Sequence, residues 1–258
     1  MIRPTILFVP GACTAPSCYK LVVLLLTERG YPTVQAPLPS NNLDYPAVHT
    51  AESDGLSFLN GYLLPLIKEG KDVIVFAHSF GATCLSGSKS NISKTARKAK
   101  GEAGGIVGII YISGRLPPDG VSLIEYSGGD GNIPGFLKPI PGLFVFDPII
   151  PYLFNDTDPE KAEEFAKRHL PHAMQPLLTP VSAPLWTDPA LDGRRAYLKT
   201  TLDTTFPPEV QQMFIDGSGA NWAVVEVDGG HEAFLTKPKL VADAVLKLAE
   251  SWHGWTRP

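Results

Sequence analysis

The chain has 258 residues, 44% of them hydrophobic, enough apolar material for a sizeable core in a single α/β unit. A formal net charge of -4 and a pI near 5.9 give no general attraction to phosphate backbones or anionic membranes, so nucleic acid is not an expected partner. No apolar run reaches the roughly 18–20 residues of a membrane span, and Met1-Ile2-Arg3-Pro4 leads directly into a core strand without the pattern of a cleaved signal.

Thr5-Ile6-Leu7-Phe8-Val9 reads as the first buried strand, followed by a breaker-rich loop from Pro10 to Pro16. Apolar residues at helical spacing from Cys18 to Arg29 stop at Gly30, a usual residue just past a helix end. Tyr31 to Ala36 gives a second strand, Pro37 to Pro46 a loop, and about Thr50 to Lys68 a second helix closing at Gly70. The third strand is the run Val73-Ile74-Val75-Phe76-Ala77-His78, which halts at Ser79. Small residues, Ala77 and Gly81, flank that serine, and a helix is expected from Phe80 into Ser86-Gly87-Ser88. This is the pattern of a nucleophile elbow, a sharp strand-to-helix turn that lifts a serine hydroxyl above the sheet. Lys89, Lys94, Arg97, Lys98 and Lys100 then form a basic, solvated extension.

Gly105 to Ser113 is a fourth buried strand. From about Arg115 to Arg194 the chain is crowded with Pro, Gly, Phe and Leu, and only Pro159 to Leu170, capped by Asp158, reads as a helix. A long excursion between two strands is expected to be a cap or lid, residues 115–194, over an active site. The alternation resumes with a strand from Ala196 to Leu202, a helix from Pro208 to Asp216 closed by Gly217, a strand from Trp222 to Val227, and a last helix from about Lys239 to Trp252. Continuous apolar strands alternating with helices indicate a doubly wound, mainly parallel sheet of about six strands in one α/β domain.

In such sheets ligands bind beyond the carboxyl ends of the strands. Gly11-Ala12, Ser79, Asp203 and His231 all fall there. Serine hydroxyl is a weak nucleophile at neutral pH and needs a base, for which His231 is the candidate. Asp203 would take the other imidazole proton and stabilise the imidazolium. Asp216 and Asp228 are rival acids: the first belongs to a helix, and the second is too close in sequence to His231 to turn back onto its ring. His78 is expected to pack beside the sheet, and Cys84 to be core. Cys13, Cys18 and Cys84 are too few for a disulfide framework or a zinc site and suggest reduced thiols in a cytoplasmic protein.

With these segments in view, the chain resembles the α/β-hydrolase superfamily, and within it the small branch that holds plant methyl esterases and hydroxynitrile lyases, together with microbial hydrolases. The resemblance rests on Phe8-Val9-Pro10-Gly11-Ala12-Cys13, Ala77-His78-Ser79-Phe80-Gly81, Tyr197 to Asp203 and Gly229-Gly230-His231. It departs at Pro10, where the plant esterases usually carry histidine, at Ala77, which replaces the first elbow glycine, and across the cap. The resemblance implies an oxyanion hole from the backbone N–H groups of Ala12 and Phe80, with Gly11 and Cys13 beside the substrate. The lyases of this branch carry a threonine in the oxyanion loop and a lysine after the catalytic histidine; here Gly11 and Glu232 stand at those positions, which argues against cyanide release.

The expected activity is therefore serine-dependent hydrolysis of a small apolar carboxylic ester or lactone. Alternatives on the same fold are a lyase or carbon-carbon bond reaction, a tailoring step on a polyketide-like metabolite, or a ligand-binding protein without turnover. Apolar cap residues, Phe136 and Phe144 among them, and His172 are candidates for substrate contact. No phosphate loop, dinucleotide fingerprint or spaced metal ligands appear, so no cofactor is implied. The partner is a small-molecule substrate; a homodimer is left open.

Overall fold

The computed structural model describes residues 3–41, 48–85, 91–128 and 134–253. Its strands are β1 (Thr5–Val9), β2 (Thr33–Gln35), β3 (Asp72–His78), β4 (Gly105–Ile112), β5 (Leu137–Ile140), β6 (Leu143–Phe146), β7 (His172–Ala173), β8 (Arg195–Thr200) and β9 (Ala223–Val227). Six of them form one sheet in the order β2-β1-β3-β4-β8-β9, and every pairing in it is parallel. Alternate residues of the apolar strands feed two cores. Leu7, Val75, Ala77, Ile109 and Tyr111 point to one face. Ile6, Phe8, Ile74, Phe76 and Ile110 point to the other, which the helices Lys20–Glu28 and Pro238–His253 cover. Both faces being covered explains why these strands read as unbroken apolar runs.

The helices follow the predicted order with shifted ends. The first opens as a 3₁₀ turn, Pro16–Tyr19, before Lys20–Glu28. The second begins at a Thr50–Ser53 capping box and runs Ala51–Phe58, then widens into a π turn, Leu59–Leu63, before Leu64–Lys68. The widening coincides with Pro65, which has no N–H for an intrahelical bond. After the elbow the helix is short, Phe80–Cys84; its predicted continuation through Ser86-Gly87-Ser88 lies outside the described residues, as do Lys89 and the second half of the Pro37 to Pro46 loop. The basic extension contains a helix, Lys94–Lys98, capped by Ser93. Lys94 pairs with Asp72 at 2.6 Å and Arg97 with Glu102 at 2.7 Å. Strand β8 ends at Thr200, so Leu202 lies in the following loop and is exposed.

The segment between β4 and β8 holds more structure than its composition suggests. β5 and β6 form an antiparallel hairpin turning at Gly142, which has φ 74°, and β7 adds to β6 as a third strand. The predicted helix is present as Pro159–Ala166, shorter than expected, with the Asp158 carboxylate accepting from the N–H groups of Glu160 and Lys161. Among the described residues no helix is long and apolar enough to cross a membrane.

Candidate active site

β3 delivers Ser79 from between β1 and β4, and the helix Phe80–Cys84 starts at the next residue. The chain reverses within one residue: Ser79 has φ 49° and ψ -118°, a region that costs an L residue about 1–3 kcal/mol and persists only where the surroundings impose it. The surroundings are tight. A Cβ on Gly81 would lie 2.6 Å from the carbonyl oxygens of Val9 and Pro10, and one on Gly11 would lie 2.6 Å from His78 Nδ1. Only glycine lets both segments close on the elbow. Ala77, fully buried, is accommodated where the motif usually has its first glycine.

β8 and β9 deliver the partners. His231 Nδ1–H donates to Asp203 Oδ2 at 2.8 Å, and Ser79 Oγ–H donates to His231 Nε2 at 3.0 Å; a carboxylate only accepts, which fixes the imidazole proton on Nδ1. Asp203 Oδ1 also accepts from the N–H groups of Thr205 at 2.8 Å and Phe206 at 2.9 Å, and Oδ2 accepts from Thr200 Oγ1 at 3.1 Å. Gln211 anchors this corner by donating to the Thr200 carbonyl at 2.9 Å. Asp228 instead accepts from Thr201 and Asp216 from Gln212, away from the His231 ring. His78 is buried and donates from Nε2 to the His231 carbonyl at 3.2 Å. Its burial pushes the imidazole pKa down to about 3, which keeps it neutral beside His231.

Two residues of the inserted segment fasten these loops. Asn155 Nδ2 donates to the Leu202 carbonyl at 2.7 Å, and Asp156 Oδ2 accepts from Gly230 N–H at 2.8 Å and Thr236 Oγ1 at 2.8 Å. A Cβ on Gly230 would sit 2.8 Å from Asn155 Oδ1. Loops carrying Asp203 and His231 are thus tied to the inserted segment by Asn155-Asp156, and no residue pattern along the chain announces that tie.

Glu232, where the lyases have lysine, is buried: its Oε1 accepts from Thr14 Oγ1 at 3.1 Å and from His169 Nε2 at 3.3 Å. Burial raises its pKa, but the His169 charge and hydrogen bond, with His78 and His231, outweigh that and hold it below the usual carboxylate value. Burial also opposes charge on His169, and Glu232 overcomes it, so His169 is raised. The depressed carboxylate stabilises the fold above the ordinary carboxylate range, a contribution lost as pH falls through its folded value; the raised imidazole does so below about 6.5 and loses it as pH rises through its folded value. Glu232→Gln is therefore expected to lower stability by about 1–3 kcal/mol, with the largest gap to the parent in the mildly acidic range between those limits and a smaller gap at either side, read by denaturant melts from pH 3 to 9.

A cavity of about 30 Å³ opens beside Ser79, well below the roughly 300–1,000 Å³ of ordinary ligand pockets. Of the residues expected there, Ala12, Phe80, Phe136 and Phe144 line it. Gly11, Cys13 and His172 do not. Gly11 is packed behind the elbow against His78. Cys13, with φ 62°, is buried with its thiol directed at the Phe144 carbonyl, 4.0 Å away, and its own carbonyl accepts from Leu170 N–H at 3.0 Å. His172 is fully buried, with Ser40 Oγ at 2.8 Å from Nε2 and the Ala173 carbonyl at 2.8 Å from Nδ1; burial lowers its pKa to about 4. Both its nitrogens are engaged, Nε2 tying β7 to Ser40 and Nδ1 bonded within β7 itself. Phe146, one of the apolar cap residues, lines it too; lining residues that the sequence left unremarked are Leu123, Leu177 and Phe206, and Arg115, noted only as the residue at which the insertion begins, joins them. A larger groove of about 710 Å³, with Lys94, Lys98, Ile106 and Trp252 in its walls, lies at the opposite, amino end of β4, far from the serine. Among the described residues no group of three His, Cys, Asp or Glu side chains could hold a metal ion.

Ala12 and Phe80 N–H groups have no acceptor among the described residues. The site so assembled is an imidazole between a serine hydroxyl and a carboxylate, at the carboxyl ends of three parallel strands, facing a small cavity. The chain is 24% identical over 261 residues to "Alpha/beta hydrolase nvfD" of Aspergillus novofumigatus, covering 96% of this chain and 98% of that protein. Its structure is similar to polyneuridine aldehyde esterase, with a TM-score of 0.70 at 18% identity over 96% of this chain and 99% of that one. It is similar also to the methylesterase MES16 from Arabidopsis, with a TM-score of 0.69 at 20% identity over 96% and 99% of the two chains. The model of the alpha/beta hydrolase family matches residues 6–244, and the chain belongs to that family.

Proposed function

We propose that the protein is a serine-dependent hydrolase of small, largely apolar carboxylic esters or lactones, working through Ser79, His231 and Asp203. The observation that carries this reading is the unbroken hydrogen-bond chain from Asp203 through His231 to Ser79 Oγ, at 2.8 and 3.0 Å, ending at a cavity. As Ser79 Oγ attacks the ester carbonyl, Nε2 takes its proton, and Asp203 stabilises the imidazolium. The N–H groups of Ala12 and Phe80 receive the carbonyl oxygen as it becomes an oxyanion. The tetrahedral intermediate expels the alcohol, protonated by His231, and leaves an acyl group on Ser79. Water activated by the same imidazole then releases the acid. Aromatic side chains from the β5–β6 hairpin enclose the acyl part, and the segment between β4 and β8 acts as the lid. With Glu232 in place of the lysine and already paired to His169, the position after His231 carries no cation to stabilise a departing cyanide, which favours hydrolysis over the lyase reaction.

Intact-mass spectrometry after exposure to a small fluorophosphonate, run beside a panel of short p-nitrophenyl esters, tests the reading. One adduct is expected on Ser79, at a rate that collapses in His231→Ala, with ester turnover in the parent alone. Labelling elsewhere, or labelling indifferent to His231, would show that Ser79 is not the activated nucleophile.

A further inference from the structure

Arg115 is the one charged side chain among the described residues that line the cavity with Ser79. It follows Ser113 and Gly114 at the carboxyl end of β4, beside the elbow strand. It is only 6% exposed. Its Cζ lies 4.2 Å from the centroid of the Phe206 ring, and that ring sets its edge against His231 at 5.1 Å between centroids. The cation is therefore one aromatic ring away from the imidazole that handles the proton.

Its polar partners are few. A guanidinium carries five N–H donors, yet among the described residues Arg115 donates one hydrogen bond, from Nη1 to Ser127 Oγ at 2.5 Å, and Nε is buried with no acceptor. No carboxylate among the described residues pairs with it. The other deeply buried arginine shows what a structural role looks like: Arg195, 5% exposed, donates to the carbonyls of Trp186 and Asp188 and to the carboxylate of Asp192. Burial pulls Arg115 down to about 10, so it remains a cation at neutral pH. A buried cation short of acceptors is costly to the folded state, and here it borders the space a substrate would enter. The ring of Phe206 offsets part of that cost through a cation–π contact, but it satisfies no N–H.

We propose that Arg115 binds a free carboxylate on the substrate, so that the preferred esters are half-esters of small dicarboxylic acids: the esterified carboxyl meets Ser79, the free one meets the guanidinium, and the hydrocarbon between them lies against Phe136 and Phe144. The proposal rests on the hydrolase reading and refines its substrate class. A guanidinium fork matches a carboxylate in geometry and charge better than it matches a neutral ester.

The test compares monomethyl esters of linear diacids from malonate to adipate with the corresponding dimethyl esters, on the parent, Arg115→Lys and Arg115→Met. The neutral diester of each length serves as the internal reference. In the parent, kcat/KM for the best half-ester is expected to exceed that for its diester by about 10- to 100-fold, the effect of one charge-assisted pair. Arg115→Met is expected to lose that preference, with the loss falling mainly on KM for the half-ester, and Arg115→Lys to keep part of it. A parent that favours the diester at every length, or an Arg115→Met variant that loses both substrates equally, would overturn the assignment. Should Arg115→Met fail to fold, protection of parent Ser79 from the fluorophosphonate decides: glutarate is expected to protect and glutaramide not to, and equal protection would refute the proposal. If the parent neither labels nor turns over any ester, the hydrolase reading has failed by itself. Calorimetric binding of monomethyl glutarate to the parent and to Arg115→Lys then still judges Arg115, with weakened binding in the variant supporting it and equal binding refuting it.

Discussion

Replacing Ser79 by alanine is expected to lower ester turnover by about 10⁶-fold, the scale on which serine hydrolases lose activity with their nucleophile, while changing stability by less than about 1 kcal/mol. The second half of that expectation follows from the contacts: Ser79 Oγ makes its bond to His231 Nε2 at 3.0 Å, and alanine at φ 49° meets the same backbone strain as serine. The melt should therefore nearly superimpose on that of the parent, and the fluorophosphonate adduct should vanish. Retention of more than a few per cent of the activity would remove Ser79 from the mechanism.

Asp203→Asn is expected to cost about 10⁴-fold in kcat, with KM little changed. The amide would keep an oxygen for the N–H groups of Thr205 and Phe206, both now bonded to Oδ1. It would then present an NH₂ to His231 Nδ1 and to Thr200 Oγ1, where the parent presents Oδ2. A donor there forces the imidazole proton onto Nε2, the position that must accept from Ser79. Rates of fluorophosphonate labelling and of ester turnover should fall together. If the substitution cost less than about tenfold, the orienting role would have to move elsewhere, and Asp228→Asn would be the next variant to measure.

These expectations could be framed from the sequence because the residues concerned sit where backbone geometry is least free. The run from Val73 to His78 ends at a serine between two small residues, and close approach of Gly81 to Val9 and Pro10 shows why a larger side chain is not found there. Asp203 and His231 were legible because a parallel sheet presents the carboxyl ends of its strands on one side. The inserted segment was far less legible. β5 and β6 are four residues each, β5 contains Pro139, and their pairing depends on the turn at Gly142 rather than on a long alternating pattern. His172 offered a polar side chain near the site, but Ser40, distant in sequence, takes its Nε2. Arg115 passed as the residue at which the insertion begins, since nothing along the chain reveals that a charge is buried with no carboxylate partner among the described residues. The Asn155-Asp156 tie was hidden for the same reason, because its partners, Leu202, Gly230 and Thr236, are remote in sequence.

That tie divides the inserted segment into two parts with different freedom to change. Residues 155–156 are bound to the loops that carry Asp203 and His231, so under the proposed mechanism substitution there is expected to disturb proton transfer whatever the substrate. The hairpin carrying Phe136, Phe144 and Phe146 touches the cavity but takes no part in the hydrogen bonds that hold Asp203 and His231. On the proposed mechanism, natural variation can therefore reshape the hairpin and alter which acyl groups fit while the Asp203–His231–Ser79 geometry stays intact, and selection on the two parts can proceed almost independently.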